Sequence, residues 1–450
     1  MLLWTLLAIL IAAHQAGLDA PKEIAPALAP ALLVYLASVY IAGRLSTTLS
    51  LKGFLRSLKD DGQALSHRLA RRMFFVKAWT LLGYAVLCYG FGWRSIGASA
   101  GALTGGIALG EIVNLLPFLA GITILLWTWH PLDAELRGSG MRRAQFVVFV
   151  LRHEVAVALA PLVVLLIITE IPEKLFPDSP GMAQALSLAL ALGFMIVAGP
   201  GLLRRVWRTR PMPDCALKQS IVALCSKTGL RCRDVLIWET GKADYANAAV
   251  VGFVGRYRYI LLSDGLLARL EPDEIAAVCG HEMGHIARRH MIFYMVFALG
   301  FAVYLAMFWT ALAHVWPGVP PLDDFAGGAD GLLQGGLFLA FSAFYWGLLF
   351  GGFSRRIERE ADMYAAGVVG DYELCARALE KLGEVNRIGR YADSWRHYSI
   401  ARRAGCLRMA GRDPRLAAIY SQVVISLLAA HVLGAALGVA WLFDGFGVGG

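Results

Sequence analysis

The sequence predicts a mainly α fold: a polytopic membrane helical bundle of about nine spans that carries a small α+β domain. Three observations predict it. Of 450 residues, 58% are hydrophobic and only 17% are charged, whereas soluble domains are about half apolar and about a quarter charged. Apolar stretches of the roughly 20 residues needed to cross a bilayer recur along the chain. Polar sequence is confined to two segments, 204–290 and 353–415, the only material for a soluble domain.

In order, the stretches read as spans are 2–17, 25–43, 74–93, 107–128, 145–169, 183–203, 291–315, 331–352 and 416–443. The first is short, lacks a basic start and has no small-residue cleavage site before Asp19, so it is read as a retained span. The fourth carries Glu111 near one end. The linking loops alternate in charge. Arg44, Lys52, Arg56, Lys59, Arg68, Arg71, Arg72 and Lys77 lie in 44–77. Arg137, Arg142 and Arg143 follow the fourth span, and Arg204, Arg205, Arg208 and Arg210 follow the sixth. The loops between are acidic or sparse, with "EIPEKLFPDSP" at 170–180 and Asp323, Asp324 and Asp330 at 316–330. With nine spans, every basic loop faces one side. The positive-inside tendency makes that side the cytoplasm, with both polar segments there and the C-terminus outside.

The same loops account for the net charge of +9. No aromatic-plus-basic pattern accompanies it, so nucleic acid is excluded as a partner and the bilayer is the expected one. Seven cysteines, an odd number with no CxxC pair, argue against a disulfide framework and a cysteine zinc knuckle. They fit a domain facing a reducing compartment.

The chain divides into a multi-span region 1–203, polar segment 204–290, a transmembrane hairpin 291–352, polar segment 353–415, and a last span within 416–450. Residues 214–228 place Leu217, Ile221, Leu224 and Cys225 on one helical face, and Gly229 closes that helix. "DVLIWE" (234–239) and "RYILLS" (258–263) read as short strands. "EPDE" (271–274) starts a helix, with Pro272 in the first turn and carboxylates at its positive end. Inside the bilayer, Arg152, His153, Glu154 and His431 are read as interhelical hydrogen-bonding groups rather than a hydrated route.

The helix that starts at 271 runs through "HEMGH", residues 281–285. His281 and His285 are four apart and share a helical face, so both imidazoles can reach one metal. Glu282 is offset around the helix and can reach a water at that metal. A hydrolytic zinc site has a third protein ligand and an open position. The extended HExxHxxGxxH pattern fails, with Arg288 in place of glycine and Met291 in place of histidine. His290, one residue off register, is read as a solvated or interfacial side chain. "SRRIEREADMYAA" (354–366) offers Glu358 and Asp362 at i, i+4: Glu358 can ligate, and Asp362 can fix a ligand histidine through its other ring nitrogen. Glu360 is read as facing solvent or an arginine.

The paired segments "VCGHEMGHIARRH" and "SRRIEREADMYAA" resemble the integral-membrane gluzincin family that holds the CaaX prenyl proteases and the HtpX heat-shock proteases. "NAAVVG" (247–252) and "LLSDGLLARLEPDEIAAV" (261–278) extend the resemblance, which covers roughly 210–405. It implies a zincin-like metallopeptidase domain with one zinc on His281, His285 and Glu358, Glu282 as general base, and Asp362 behind the ligands. "HYSIARR" (397–403) is similar to the family's His-Pro segment ending in arginine, with Tyr398 in place of proline, and so offers His397 or Arg403 for the transition state. The strand around Asn247, Ala248 and Ala249 could add an extended substrate as a further β-strand.

The implied activity is a zinc endopeptidase that cuts membrane-associated, misfolded or flexible proteins at the cytoplasmic face of a bacterial inner membrane. CaaX-type processing is the alternative substrate class. A non-catalytic scaffold or transporter would not need Glu282. An intramembrane protease would call for a Leu-Asp-Gly ligand, and none occurs; an antibiotic-sensor metalloprotease would call for an external domain after the last span.

Overall fold

The computed structural model describes residues 1–16, 26–57, 62–137, 140–243, 245–320, 322, 328–391 and 393–446. Asp19, Lys59, Asp323 and Asp324, used above for the cleavage site and loop charges, lie outside them. The described chain is mostly helical, with one four-stranded sheet. Eight helices are long and apolar enough to cross a membrane: Leu28–Gly53, Arg71–Phe91, Ile107–Leu136, Arg143–Leu175, Pro180–Val206, His290–Val315, Ala329–Val369 and Arg415–Phe443. This is a multi-pass membrane protein.

The expected first span appears as the apolar helix Leu2–Ala16, 15 described residues, shorter than these eight. It precedes every charged loop, so the alternation of basic and acidic loops after Leu28 is unchanged. A correction concerns the boundary at 352–353. The second arm of the hairpin and the Glu358 segment are one continuous helix, Ala329–Val369. Its 41 residues extend about 60 Å, twice the hydrocarbon thickness, so its C-terminal half projects beyond the apolar layer.

The chain forms two compact units. The first comprises Met1–Arg208 with Pro320–Ala340. It is a helical bundle in which close helix crossings use glycine: a Cβ at Gly121 would fall 2.2 Å from the Tyr35 hydroxyl.

The second unit, Thr209–Val319 with Phe341–Gly450, holds the sheet, strand order β1-β2-β4-β3. The strands are β1 (Thr209–Pro211), β2 (Asp234–Trp238), β3 (Ala248–Val251) and β4 (Tyr259–Ser263). β2 and β4 run parallel; β1 on β2 and β3 on β4 are antiparallel, with Ala249 opposite Leu261. The 214–228 expectation appears as the helix Ala216–Lys227, with Ile221 and Cys225 buried, Leu217 and Leu224 packed behind them, and Gly229 in the left-handed region at φ +68°.

The HEMGH helix, Pro272–Ala287, has Pro272 in its first turn, and Glu274 accepts from the Glu271 backbone N–H at 2.8 Å. Ile275, Cys279 and Met283, spaced by four, bury against Val235, Ile237, Ile260 and Leu262 of the sheet. Each such side chain contributes roughly 1.5–3 kcal/mol. At 100° per residue, that burial turns His281 and His285 away from the sheet.

Candidate metal centre and substrate cleft

The face opposite the sheet meets the helix segment Gly351–Val369. Gly280 and Gly284 oppose Ala365 and Ala361, and a Cβ on Gly284 would lie 3.1 Å from the Ala361 Cα and carbonyl oxygen. Small residues on both helices permit this approach, which brings Glu358 over the two histidines. His281 Nε2 lies 3.3 Å from His285 Nε2 and 3.4 Å from Glu358 Oε2, and His285 Nε2 lies 3.6 Å from Glu358 Oε1. Tetrahedral zinc held by nitrogen and oxygen at about 2.0–2.1 Å keeps its donors roughly 3.3–3.4 Å apart. The histidine pair matches that spacing and the Glu358 carboxylate faces both rings, one oxygen toward each, so the three side chains are grouped to hold one zinc ion. Glu358 is 2% exposed and its Oε2 is buried without a hydrogen bond, as expected of a donor aimed at a cation.

Each histidine is held by its other ring nitrogen. His281 Nδ1 lies 2.9 Å from Asp362 Oδ1, off the line of a hydrogen bond. Asp362 is gripped in turn by both arms of Arg403, at 2.8 and 2.7 Å. Burial opposes charge on His281, but Asp362 and Glu358 outweigh it and raise its pKa to about 10. His285, where burial dominates, is lowered to about 3.

His285 Nδ1 lies 2.9 Å from His290 Nδ1, and His290 Nε2 lies 3.0 Å from Glu360 Oε2. Ser421 donates to the other Glu360 oxygen at 2.5 Å, and Arg288 stands 3.7 Å from it. One tautomer set satisfies the row: with Nε2 toward the metal, His285 donates from Nδ1 to His290, which donates from Nε2 to Glu360. Glu360, 4% exposed, faces an arginine, one of its two expected surroundings, and also a histidine and a serine. One expectation is corrected here: His290 is fully buried rather than solvated. The cause is Arg289, whose left-handed backbone (φ 58°, ψ 30°) ends one helix and starts the next. That break turns His290 back toward His285.

Glu282 beside the ligands accepts from the Val250 backbone, and burial pushes its carboxyl up to about 7. It lines a cleft of about 560 Å³ with Asn247, Ala248, Ala249, His397 and Arg403. β3 is an edge strand of the sheet. Ala248 buries its side chain in the core and offers the cleft main-chain atoms; Asn247 and Ala249 are partly exposed. His397 Nδ1 lies 2.9 Å from Glu358 Oε2. The expected site residues thus line one cleft, except Asp362, which lies behind His281 and engages Arg403. Sequence reasoning missed the His290–Glu360–Ser421 row and Arg396. No local pattern marks the row, since it depends on the break at Arg289.

His431 in the last helix stacks on Phe297 at 4.0 Å, with Nε2 3.3 Å from the Tyr345 hydroxyl. That is an interhelical contact.

Residues 215–431 match the peptidase family M48 profile, an interval that contains every candidate metal ligand. A protease HtpX homolog of Thermoplasma acidophilum is 32% identical over 200 residues, 43% of this chain and 60% of that protein. The chain thus spans about three fifths of that relative's length. CAAX prenyl protease 1 of Saccharomyces cerevisiae is 30% identical over 89 residues, 20% of each chain. Among solved structures, S. mikatae Ste24p aligns with 86% of this chain and 100% of its own, at 17% identity and a TM-score of 0.49.

Proposed function

We propose that this chain, whose residues 215–431 belong to peptidase family M48, is a zinc endopeptidase that hydrolyses peptide bonds of extended or membrane-associated proteins. The observation that carries the reading is the cluster of His281, His285 and Glu358: the two Nε2 atoms lie 3.3 Å apart, each is 3.4–3.6 Å from one of the Glu358 carboxylate oxygens, and one donor atom from each residue lies within 4.8 Å of the others.

His281, His285 and Glu358 would hold the metal. When bound, zinc supplies Lewis acidity, which acidifies water and polarises a carbonyl. Glu282 takes the proton of the attacking water and returns it to the leaving amine. Its burial, which favours the protonated form, suits it to both tasks near neutral pH. His397, partly exposed in the cleft, is the donor placed for the oxyanion. Arg403 acts through Asp362, which keeps His281 oriented. The free edge of β3 would take substrate in an extended conformation through main-chain atoms at Ala248, flanked by Asn247, whose own main chain is hydrogen-bonded to Ser263, and Ala249, which favours unfolded or flexible segments. We place the domain at the cytoplasmic face, in keeping with the basic loops, and a bacterial inner membrane is the expected setting.

The test is cleavage of an unfolded protein such as casein by the detergent-solubilised full chain. Wild type cuts, stops when zinc is chelated and resumes when zinc is restored. Glu282→Gln keeps its zinc and loses at least about 100-fold in rate. Equal cleavage by Glu282→Gln, or zinc-loaded wild type that cuts nothing, overturns the reading.

A further inference from the structure

We propose that Arg396 forms a carboxylate-binding subsite in the cleft, so that the protein selects peptides carrying a carboxylate close to the bond presented to Glu282. This rests on the peptidase reading and narrows its substrate class.

The segment 396–403 turns three nitrogen-donor side chains toward the cleft, Arg396, His397 and Arg403. Two already stand against carboxylates: Arg403 forks onto Asp362, and His397 Nδ1, though without a hydrogen bond, lies 2.9 Å from Glu358 Oε2. Arg396 is different. Among the described residues it has no carboxylate within ion-pair distance. Its Nη2 donates to the Tyr294 hydroxyl over a long 3.4 Å, and its Nε is buried without a hydrogen bond. A buried guanidinium nitrogen with no acceptor is unfavourable unless a ligand supplies one. The planar fork of arginine matches the two oxygens of a carboxylate.

Its surroundings say what kind of carboxylate. The guanidinium lies over the rings of Tyr294 and Trp395, at 5.6 and 5.9 Å. Ile286, Met291 and Tyr294 line the same cleft. The charge also acts on Glu282, Glu358 and His285, which puts it in the electrostatic reach of the reaction centre. The subsite therefore suits a carboxylate beside an apolar side chain, within a few residues of the scissile bond. Two sources share that chemistry: the free C-terminus of the substrate, and an Asp or Glu side chain.

The test uses fluorescent apolar peptides in three forms: free C-terminal carboxylate, C-terminal amide, and amide with one Glu moved along the sequence. Binding is measured by anisotropy on the full-length Glu282→Gln protein, and cleavage on the protein with Glu282 intact. A charge-assisted pair predicts about 10- to 100-fold tighter binding of a carboxylate form than of the neutral amide. The free-acid arm and the Glu arm identify the source. Arg396→Gln collapses the ratio toward one, and Arg396→Lys retains part of it. Equal binding of all three forms, no binding at all, or a ratio unchanged in Arg396→Gln overturns the proposal. A ratio that depends on Arg396 in a protein that cleaves none of the peptides keeps the subsite and sinks the peptidase reading. The acid-to-amide comparison within the parent protein decides the matter even if Arg396→Gln fails to fold.

Discussion

Replacing His290 with alanine should weaken zinc binding although His290 is no ligand. The row His285–His290–Glu360–Ser421 is continuous, at 2.9, 3.0 and 2.5 Å, and His290 has no exposed surface. His290→Ala leaves the His285 ring free to turn about its side-chain bonds and leaves Glu360 without its histidine donor. Removing such a partner typically lowers metal affinity 10- to 100-fold, roughly 1.4–2.7 kcal/mol. The Glu360 oxygen that loses its donor, its other oxygen still held by Ser421, adds a stability cost of about 1–3 kcal/mol. Competition with a calibrated chelator measures the first quantity and thermal unfolding of the zinc-free protein the second. Cobalt substitution separates positioning from general damage, because a reoriented His285 alters the visible spectrum of the bound ion. His290→Gln, which can both accept and donate, should recover part of the affinity. A folded His290→Ala protein with zinc affinity within twofold of wild type and an unchanged cobalt spectrum would refute the relay.

The crossing of the two ligand-bearing helices gives a second expectation. Gly284→Ala places a Cβ 3.1 Å from Ala361, so the helices must part by a few tenths of an ångström, and zinc affinity and stability both fall. Alanine would by itself favour the helix by about 1 kcal/mol, so a net loss in unfolding midpoint identifies the crossing, and a net gain contradicts it. A third concerns pH. Arg408 donates to Glu373 and Glu380 and holds both carboxyls below the ordinary range. Depressed folded values stabilise above the unfolded pKa of about 4.3, and the gain disappears as pH falls through the folded values. Arg408→Gln should therefore unfold at a lower temperature than wild type at pH 7, with the gap closing as pH falls below the ordinary carboxylate range and through the depressed folded values. A gap that is constant with pH would assign Arg408 a packing role instead.

What could be read from sequence was what lies on one helix. His281 and His285, and Glu358 and Asp362, are i, i+4 pairs, and helical periodicity alone puts each pair on one face. The correspondence between the two pairs needed the Gly284–Ala361 crossing, which no local pattern announces, and was supplied by resemblance. His290 was misread because a regular helix would carry it past the site; one residue with positive φ reverses its direction. β1 escaped because three residues, Thr209–Pro211, show no alternation. Arg396 sits in an irregular stretch, Trp395–Ser399, where side-chain direction follows from packing against Tyr294 rather than from period.

The most direct measurement is the zinc content of the purified full-length chain, taken by elemental mass spectrometry alongside Glu358→Gln and Glu282→Gln. The account predicts one zinc per chain in wild type and in Glu282→Gln, and little in Glu358→Gln, whose carboxylate completes the cluster from the second helix. A Glu358→Gln protein as rich in zinc as wild type, or a folded wild type that takes up none, would contradict it.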